Sequence, residues 1–157
     1  MLCTTYHTTR TSTISNVTCR IGSCLLAGFE RSKNNEKKEG SVTLSCLWLK
    51  RALDFLDRFL KKYIHGHTTT LAAKEAYETE LAPYQGWVIR TTCKTAMRMV
   101  PSREKVGQTL LKSTVDPIFW EQTVMEELSL MMASFSVVVQ DMDSYFEREG
   151  LDFKDKV

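Results

Sequence analysis

Between Leu49 and Ile64 the apolar side chains Leu49, Leu53, Leu56, Leu60 and Ile64 recur at steps of four, three, four and four. Trp48, Ala52, Phe55 and Phe59 form a second stripe beside them. Two adjacent stripes at this spacing predict an amphipathic helix whose apolar face is wider than a coiled-coil seam. The opposite side carries Lys50, Arg51, Asp54, Asp57, Arg58, Lys61 and Lys62, which read as a solvated face. Asp54 with Arg58 and Asp57 with Lys61 are oriented to pair one turn apart. The helix should stop at His65-Gly66, where glycine takes the left-handed cap conformation.

The same logic divides the rest of the chain. A second helix is predicted over Thr70 to Leu81, behind a threonine cap. Pro83 interrupts it, and Gly86 lets the backbone pass close to a neighbour. A third helix runs from Trp87 to Met99 and ends before Pro101. A fourth opens at Ser102-Arg103-Glu104-Lys105 and reaches Leu111. The last starts at Asp116-Pro117, a cap followed by proline at the first helical position, continues to Glu147 and stops at Gly150. No segment alternates with period two for long, so the pattern predicts an all-α chain of about five helices. Residues 1–40 differ: a threonine-rich start lacks an apolar stripe, and Glu30 to Gly40 is a polar charge run. They read as an irregular region with one short helix around Cys19 to Phe29, ahead of a helical domain at 41–157.

Composition narrows the function classes. A chain of 157 residues fits one domain, and 43% apolar with 25% charged residues allows a globular core. The net charge of +2 gives no nucleic-acid footprint, which needs clustered basic excess. It still permits weak attraction to an anionic membrane face. The five cysteines are odd in number and include no C-x-x-C, so neither a disulfide framework nor a zinc site is indicated, and the reading is a reducing, cytosolic compartment. Ile21 to Phe29 resembles a signal-peptide core but lies behind twenty mostly polar residues. Nucleophile-elbow, phosphate-loop and H-E-x-x-H signatures are missing, and His65-Gly66-His67 sits in a helix-ending loop. The expectation is a non-enzymatic protein without metal or cofactor.

Trp48 stands near the head of the first strong helix, with Lys50-Arg51 just behind it. By itself this reads either as a core tryptophan beside a solvated basic pair, or as a flat face on which a sugar ring stacks. A second run bears on the choice: Ala76-Tyr77-Glu78-Thr79-Glu80-Leu81-Ala82-Pro83-Tyr84-Gln85-Gly86-Trp87. The pairing of W-L-K-R-A-L with A-Y-x-x-x-L-x-x-Y-Q-G-W resembles the glycolipid transfer protein family, whose corresponding runs read W-L-K-R-G-L and A-Y-x-x-x-L-x-x-Y-H-G-W.

That resemblance implies a two-layer helical fold that binds a sphingolipid and carries it between membranes. Trp48 matches the family's sugar-stacking tryptophan. Gln85 stands where the family has a histidine donating to the ceramide amide carbonyl. Phe55, Phe59, Tyr77 and Leu81 match positions lining the hydrocarbon pocket, although spacing alone reads them as ordinary core. Trp87 matches a tryptophan near the membrane-contacting surface. The implied partners are a glycolipid or other sphingolipid and, transiently, the cytosolic face of a membrane, with no nucleic acid. A phosphate-headgroup branch of the family carries a basic residue at the place of Trp48 and proline at the place of Gly86, so both positions favour a glycosylceramide over ceramide-1-phosphate.

Two departures stand out. Glutamine replaces histidine at position 85, keeping a donor of similar reach. The family's sugar-reading D-x-x-x-N-x-x-K helix has no match: Asn16 has Ser12 four residues before it and Cys19 three after it. The resemblance extends over Val42 to Val157, and the fold is expected to be incomplete at its N-terminus. A truncated or non-transferring helical interaction module is the alternative, and part of the broad apolar face of the Trp48 helix is expected to reach solvent.

Overall fold

A computed structural model describes residues 41–110 and 119–154. They form five α-helices: α1 (Val42–Ile64), α2 (Thr69–Glu80), α3 (Trp87–Ala96), α4 (Arg103–Leu110) and α5 (Trp120–Arg148). Short 3₁₀ turns occupy Ala82–Tyr84 and Met97–Met99. No strand occurs among the described residues. The all-α class is therefore as the periodicity requires. The helix expected around Cys19 to Phe29, the irregular region 1–40 and the Asp116-Pro117 start lie outside the described residues.

The ends of the helices follow from local chemistry. Ser41 Oγ accepts from Leu44 N at 3.0 Å and satisfies one orphan donor of α1. At the other end Gly66 has φ 89. Gly66 N bonds Tyr63 O at 3.2 Å and His67 N bonds Lys62 O at 3.1 Å, the paired bonds of a Schellman cap. Gly150, with φ 66, ends α5 the same way, through Gly150 N to Glu147 O and Leu151 N to Phe146 O. Thr68 caps α2, its hydroxyl accepting from Leu71 N, so that helix begins one residue before the predicted Thr70. The third helix tightens after Ala96 into a 3₁₀ turn, and Val100 is extended at ψ 130 ahead of Pro101.

The chain divides into two compact units, and α1 and α5 each contribute to both. In the unit formed by 41–53 and 134–153, Leu47, Phe146 and Leu151 make a buried cluster, with Leu44, Met142, Tyr145 and Phe153 packed on it. Leu151 is the residue just beyond the glycine cap, so the cap delivers it to the core. The buried line of α1 here runs Thr43, Leu47, Arg51. Arg51 is 2% exposed, which corrects its assignment to the solvated face. Its guanidinium donates to the carbonyl of Phe153 and lies 5.1 Å from the centroid of the Trp48 ring. Burial of this charge is tolerated because a carbonyl and an aromatic face meet it.

In the unit that contains 54–110 and 119–133, Tyr63, Val124 and Leu128 form the buried centre, flanked by Phe59, Leu60, Ile64, Val106 and Met125. Helix α2 buries Ala72, Ala73, Ala76 and Tyr77, three of them small enough to admit close backbone approach. Arg58 pairs with Glu80 and Lys62 with Glu75, tying α1 to α2, while Lys61 pairs with Asp57 at 2.6 Å as its spacing predicts. Arg58 thus turns away from Asp54. Leu49 and Leu56, counted in the apolar stripe, are 55% and 41% exposed.

Arg103 locks the end of α1. It donates to the carbonyls of Tyr63 and His67, pairs with Glu121 at 2.8 Å and covers the Tyr63 ring at 4.4 Å. The Tyr63 hydroxyl returns a bond to the Arg103 carbonyl at 3.0 Å. Carbonyls left over at a helix C-terminus are thereby satisfied by a cation, where the helix dipole favours one. Replacing Arg103 with Met should lower unfolding free energy by about 1–3 kcal/mol, the scale of the charge-assisted hydrogen bonds to the Tyr63 and His67 carbonyls that it removes. Urea denaturation checks this, and an unchanged midpoint would show that water replaces the guanidinium at no cost.

Candidate functional site

A solvent-open apolar cavity of about 330 Å³ lies within the second unit, with Leu56 and Ala96 exposed at its edge. Phe55, Leu56 and Phe59 of α1 form one wall and Ala73 of α2 another; Cys93 and Ala96 of α3, with Met97 and Val100 beyond, complete it. None of these side chains carries oxygen or nitrogen. The rings of Phe55 and Phe59 lie stacked at 6.2 Å and 11°, one helical turn apart. The cavity thus offers a solute dispersion contacts and removal from water, and no hydrogen bond.

A polar group stands beside it. The connection from α2 to α3 places Gln85 eight residues after Tyr77 and eight before Cys93. The buried Tyr77 hydroxyl donates to Gln85 Oε1 at 2.7 Å, and the Cys93 thiol lies 4.0 Å from the same oxygen. Those contacts assign Oε1 as the acceptor and leave Nε2 as a donor without a partner among the described residues. Burial, with the Cys93 contact adding to it and Arg90 opposing it, pushes the Tyr77 phenol up to about 12. The phenol therefore stays protonated and holds the amide in one orientation at physiological pH. The thiol links this amide to the cavity, since Cys93 is also a wall residue.

The sequence-predicted residues fall into three places. Phe55 and Phe59 do line the apolar cavity. Tyr77 is buried at 1% exposure beneath Gln85, and half-buried Leu81 closes α2 by bonding Tyr77 O at 3.1 Å; neither is a cavity wall. Trp48 belongs to the other unit, half-buried with Arg51 over one ring face and Lys50 drawn to Asp143 at 2.6 Å. Trp87 is 79% exposed, and Val88 and Ile89 beside it are exposed as well. Cavity residues Cys93, Ala96, Met97 and Val100 escaped the sequence reading. Their spacing of three, one and three is a helical apolar stripe, so the signal was present. Ala73 gave none, because its contribution is the space that a larger side chain would fill.

Among the described residues no group of three or more histidine, cysteine or acidic side chains is placed to hold a metal, Cys93 is a free thiol, and no helix is long and apolar enough to cross a membrane.

The sequence and the arrangement of its helices match known proteins. The glycolipid transfer protein family matches residues 11–112. The chain is 30% identical over 115 residues to pleckstrin homology domain-containing family A member 8 of Canis lupus familiaris, covering 71% of this chain and 22% of that one. It therefore spans about a fifth of the length of such relatives. FAPP2, which selects simple glycosphingolipids using the glycolipid-transfer fold, superimposes with a TM-score of 0.72 at 23% identity, covering 94% of this chain and 74% of its own. Human ceramide-1-phosphate transfer protein in complex with 12:0 ceramide-1-phosphate gives 0.68 at 20% identity, covering 88% and 75%. The chain belongs to the glycolipid transfer protein family, and its fold is that family's all-α fold. The match starts before Val42, inside the stretch that the helical periodicity sets apart.

The Tyr77 phenol supplies a test of the folded amide. Its folded value of about 12 exceeds the ordinary 10.0, so between those values the folded state holds a proton that the unfolded chain has lost. Stability is then fully present below pH 10 and falls as pH rises toward about 12. Tyr77→Phe should show a shallower fall across that window in urea midpoints. Identical slopes would mean that the phenol titrates normally.

Proposed function

We propose that the chain binds a sphingolipid, with glycosylceramide as the favoured class, and passes it between membranes without changing it chemically. The observation that carries this reading is an apolar cavity with one oriented amide donor beside it. Hydrocarbon entering the cavity contributes about 0.8 kcal/mol for each buried CH₂. The ceramide carbonyl, leaving water with it, needs a donor or forfeits roughly 1–3 kcal/mol. Gln85 Nε2 is that donor, in the role the family gives to histidine, and the Tyr77 bond supplies the rigidity that an imidazole would bring. Leu81 and Tyr77 support the cavity from behind.

Trp48 is the proposed headgroup residue. Arg51 lies over the half-buried indole, and the proposed sugar stacks on the face opposite it. The same burial argues against a phosphate headgroup, because the Arg51 guanidinium is committed to the Phe153 carbonyl and Lys50 already has a carboxylate. The exposed Trp87, Val88 and Ile89 at the start of α3 are the proposed membrane contact, since such clustered apolar exposure marks an interaction surface. A second reading rests on the D-x-x-x-N-x-x-K motif, which has no match in the sequence: the chain is a non-transferring helical interaction module of the same fold that still takes up lipid.

Native mass spectrometry for co-purified sphingolipid, followed by transfer of fluorescent galactosylceramide between vesicles, separates the two readings. Bound lipid with no transfer favours the second, and neither bound lipid nor transfer refutes both. Gln85→Leu should weaken galactosylceramide binding by about 1–3 kcal/mol, while Gln85→His retains it. Trp48→Ala should cost about fivefold or more in affinity with helicity preserved, the scale of an aromatic stack. Trp87→Ala should lower association with neutral vesicles roughly tenfold, given about 1.5–3 kcal/mol for a large apolar side chain. Unaltered vesicle binding in a co-sedimentation assay would remove Trp87 from the membrane surface.

A further inference from the structure

A second cleft, of about 290 Å³, lies between α2 and the end of α3; it shares Met97 with the apolar cavity, but charged side chains join its lining. Thr70, Lys74 and Glu78 line it from α2 at four-residue steps, with buried Tyr77 as its floor. Lys94 of α3 and Arg98 of the turn beyond face them. We infer that this cleft is a binding site for a phosphate-bearing headgroup, distinct from the sphingolipid site and independent of whether the chain transfers lipid.

Three observations converge on it. Lys74, Lys94 and Arg98 make no side-chain hydrogen bond or ion pair among the described residues; Arg90 and Lys105 of the same unit make none either, but only these three line one cleft, while Arg58, Lys61, Lys62 and Arg103 are paired. Three unpaired cations around one concavity repel one another, and a bound anion relieves that repulsion while gaining charge-assisted hydrogen bonds. Lys94 in the last turn of α3 is accounted for by the helix dipole alone, but Lys74, on a different helix, is not.

The charge is also concentrated. The chain as a whole holds 21 basic and 19 acidic side chains, yet Trp87 to Val100 contains three basic residues and no acid. Those three, Arg90, Lys94 and Arg98, follow Trp87 at steps of three, four and four, so they share a face with it. A 79% exposed indole in line with cations is the make-up of a surface that sits at a lipid headgroup layer. That continuity makes an anionic membrane lipid the favoured carrier of the phosphate. Glu78 on the rim opposes the ligand and holds its affinity down.

The test uses the full chain and co-sedimentation with vesicles of phosphatidylcholine alone, or containing phosphatidylserine or a phosphatidylinositol phosphate. Wild type should prefer the anionic vesicles. K94Q/R98Q should lose that preference by roughly twenty- to thirtyfold, because each base at an anionic surface contributes about fivefold. K61Q/K105Q, which removes the same charge elsewhere, should lose far less, and E78Q should bind more tightly. Circular dichroism verifies that the variants are folded, and uptake of galactosylceramide from detergent micelles by K94Q/R98Q should match wild type. Amide chemical shifts on adding inorganic phosphate or soluble inositol trisphosphate form the second arm. Shifts at Lys74, Lys94 and Arg98 without any vesicle preference would assign the site to a soluble phosphate. Equal losses in the two double variants, or no anionic preference together with no shifts, would overturn the inference.

Discussion

A phenol buried at the end of a helix has to find an acceptor, and in this protein the Tyr77 hydroxyl finds the amide oxygen of Gln85. That one bond dictates the path of the chain between α2 and α3. The intervening segment must turn back on itself within eight residues, which it does through the 3₁₀ turn at Ala82–Tyr84 with Pro83 inside it. Gly86 then caps α3 in an extended conformation, φ −66 and ψ 163. The start of α3 is thereby fixed, and with it the line Cys93, Ala96, Met97, Val100 that closes the apolar cavity. The same bond leaves the amide nitrogen as the free end of Gln85. The group that satisfies the buried phenol thus keeps its nitrogen unpartnered among the described residues.

Space for a ligand arises from an imbalance of side-chain size. Helix α1 contributes two phenyl rings and a leucine, while α2 and α3 answer with Ala73, Cys93 and Ala96. Interiors are close-packed, so large residues opposite small ones normally interlock. Here Phe55 and Phe59 stack on each other along α1 instead, and the volume across from them stays open. Around this opening the unit is braced by Arg103 at the end of α1 and by the Arg58–Glu80 and Lys62–Glu75 pairs. These bonds lie on the perimeter and leave the cavity without a polar side-chain group.

The other unit places a different demand on α1. There the helix buries an arginine rather than exposing it, and the guanidinium joins Trp48 to the carbonyl of Phe153. Trp48 is thus tied, through Arg51, to the chain's last described turns. The glycine cap at Gly150 makes this possible, because it turns the backbone so that Leu151 enters the core and Phe153 comes within reach of Arg51.

Much of this was legible in the sequence for a physical reason. Helical periodicity, caps and glycine stops are local: each depends on residues within a turn or two, so α1, α2 and α3 were placed to within a few residues, and both left-handed glycines were recognised as stops. Motif resemblance added the family and the places of Trp48, Gln85 and Trp87. Tertiary structure decided what spacing cannot encode. Arg51 and Lys50, both assigned by spacing to a solvated face, are each largely covered, one against an indole and a carbonyl and the other, 11% exposed at its side chain, against the Asp143 carboxylate, because burial depends on the partner brought from a distant segment. Tyr77 shares its helical pattern with a pocket-lining residue, but the position of Gln85 made it a support. The cavity itself is a property of two helices meeting a third, and Ala73 takes part in it only by being small.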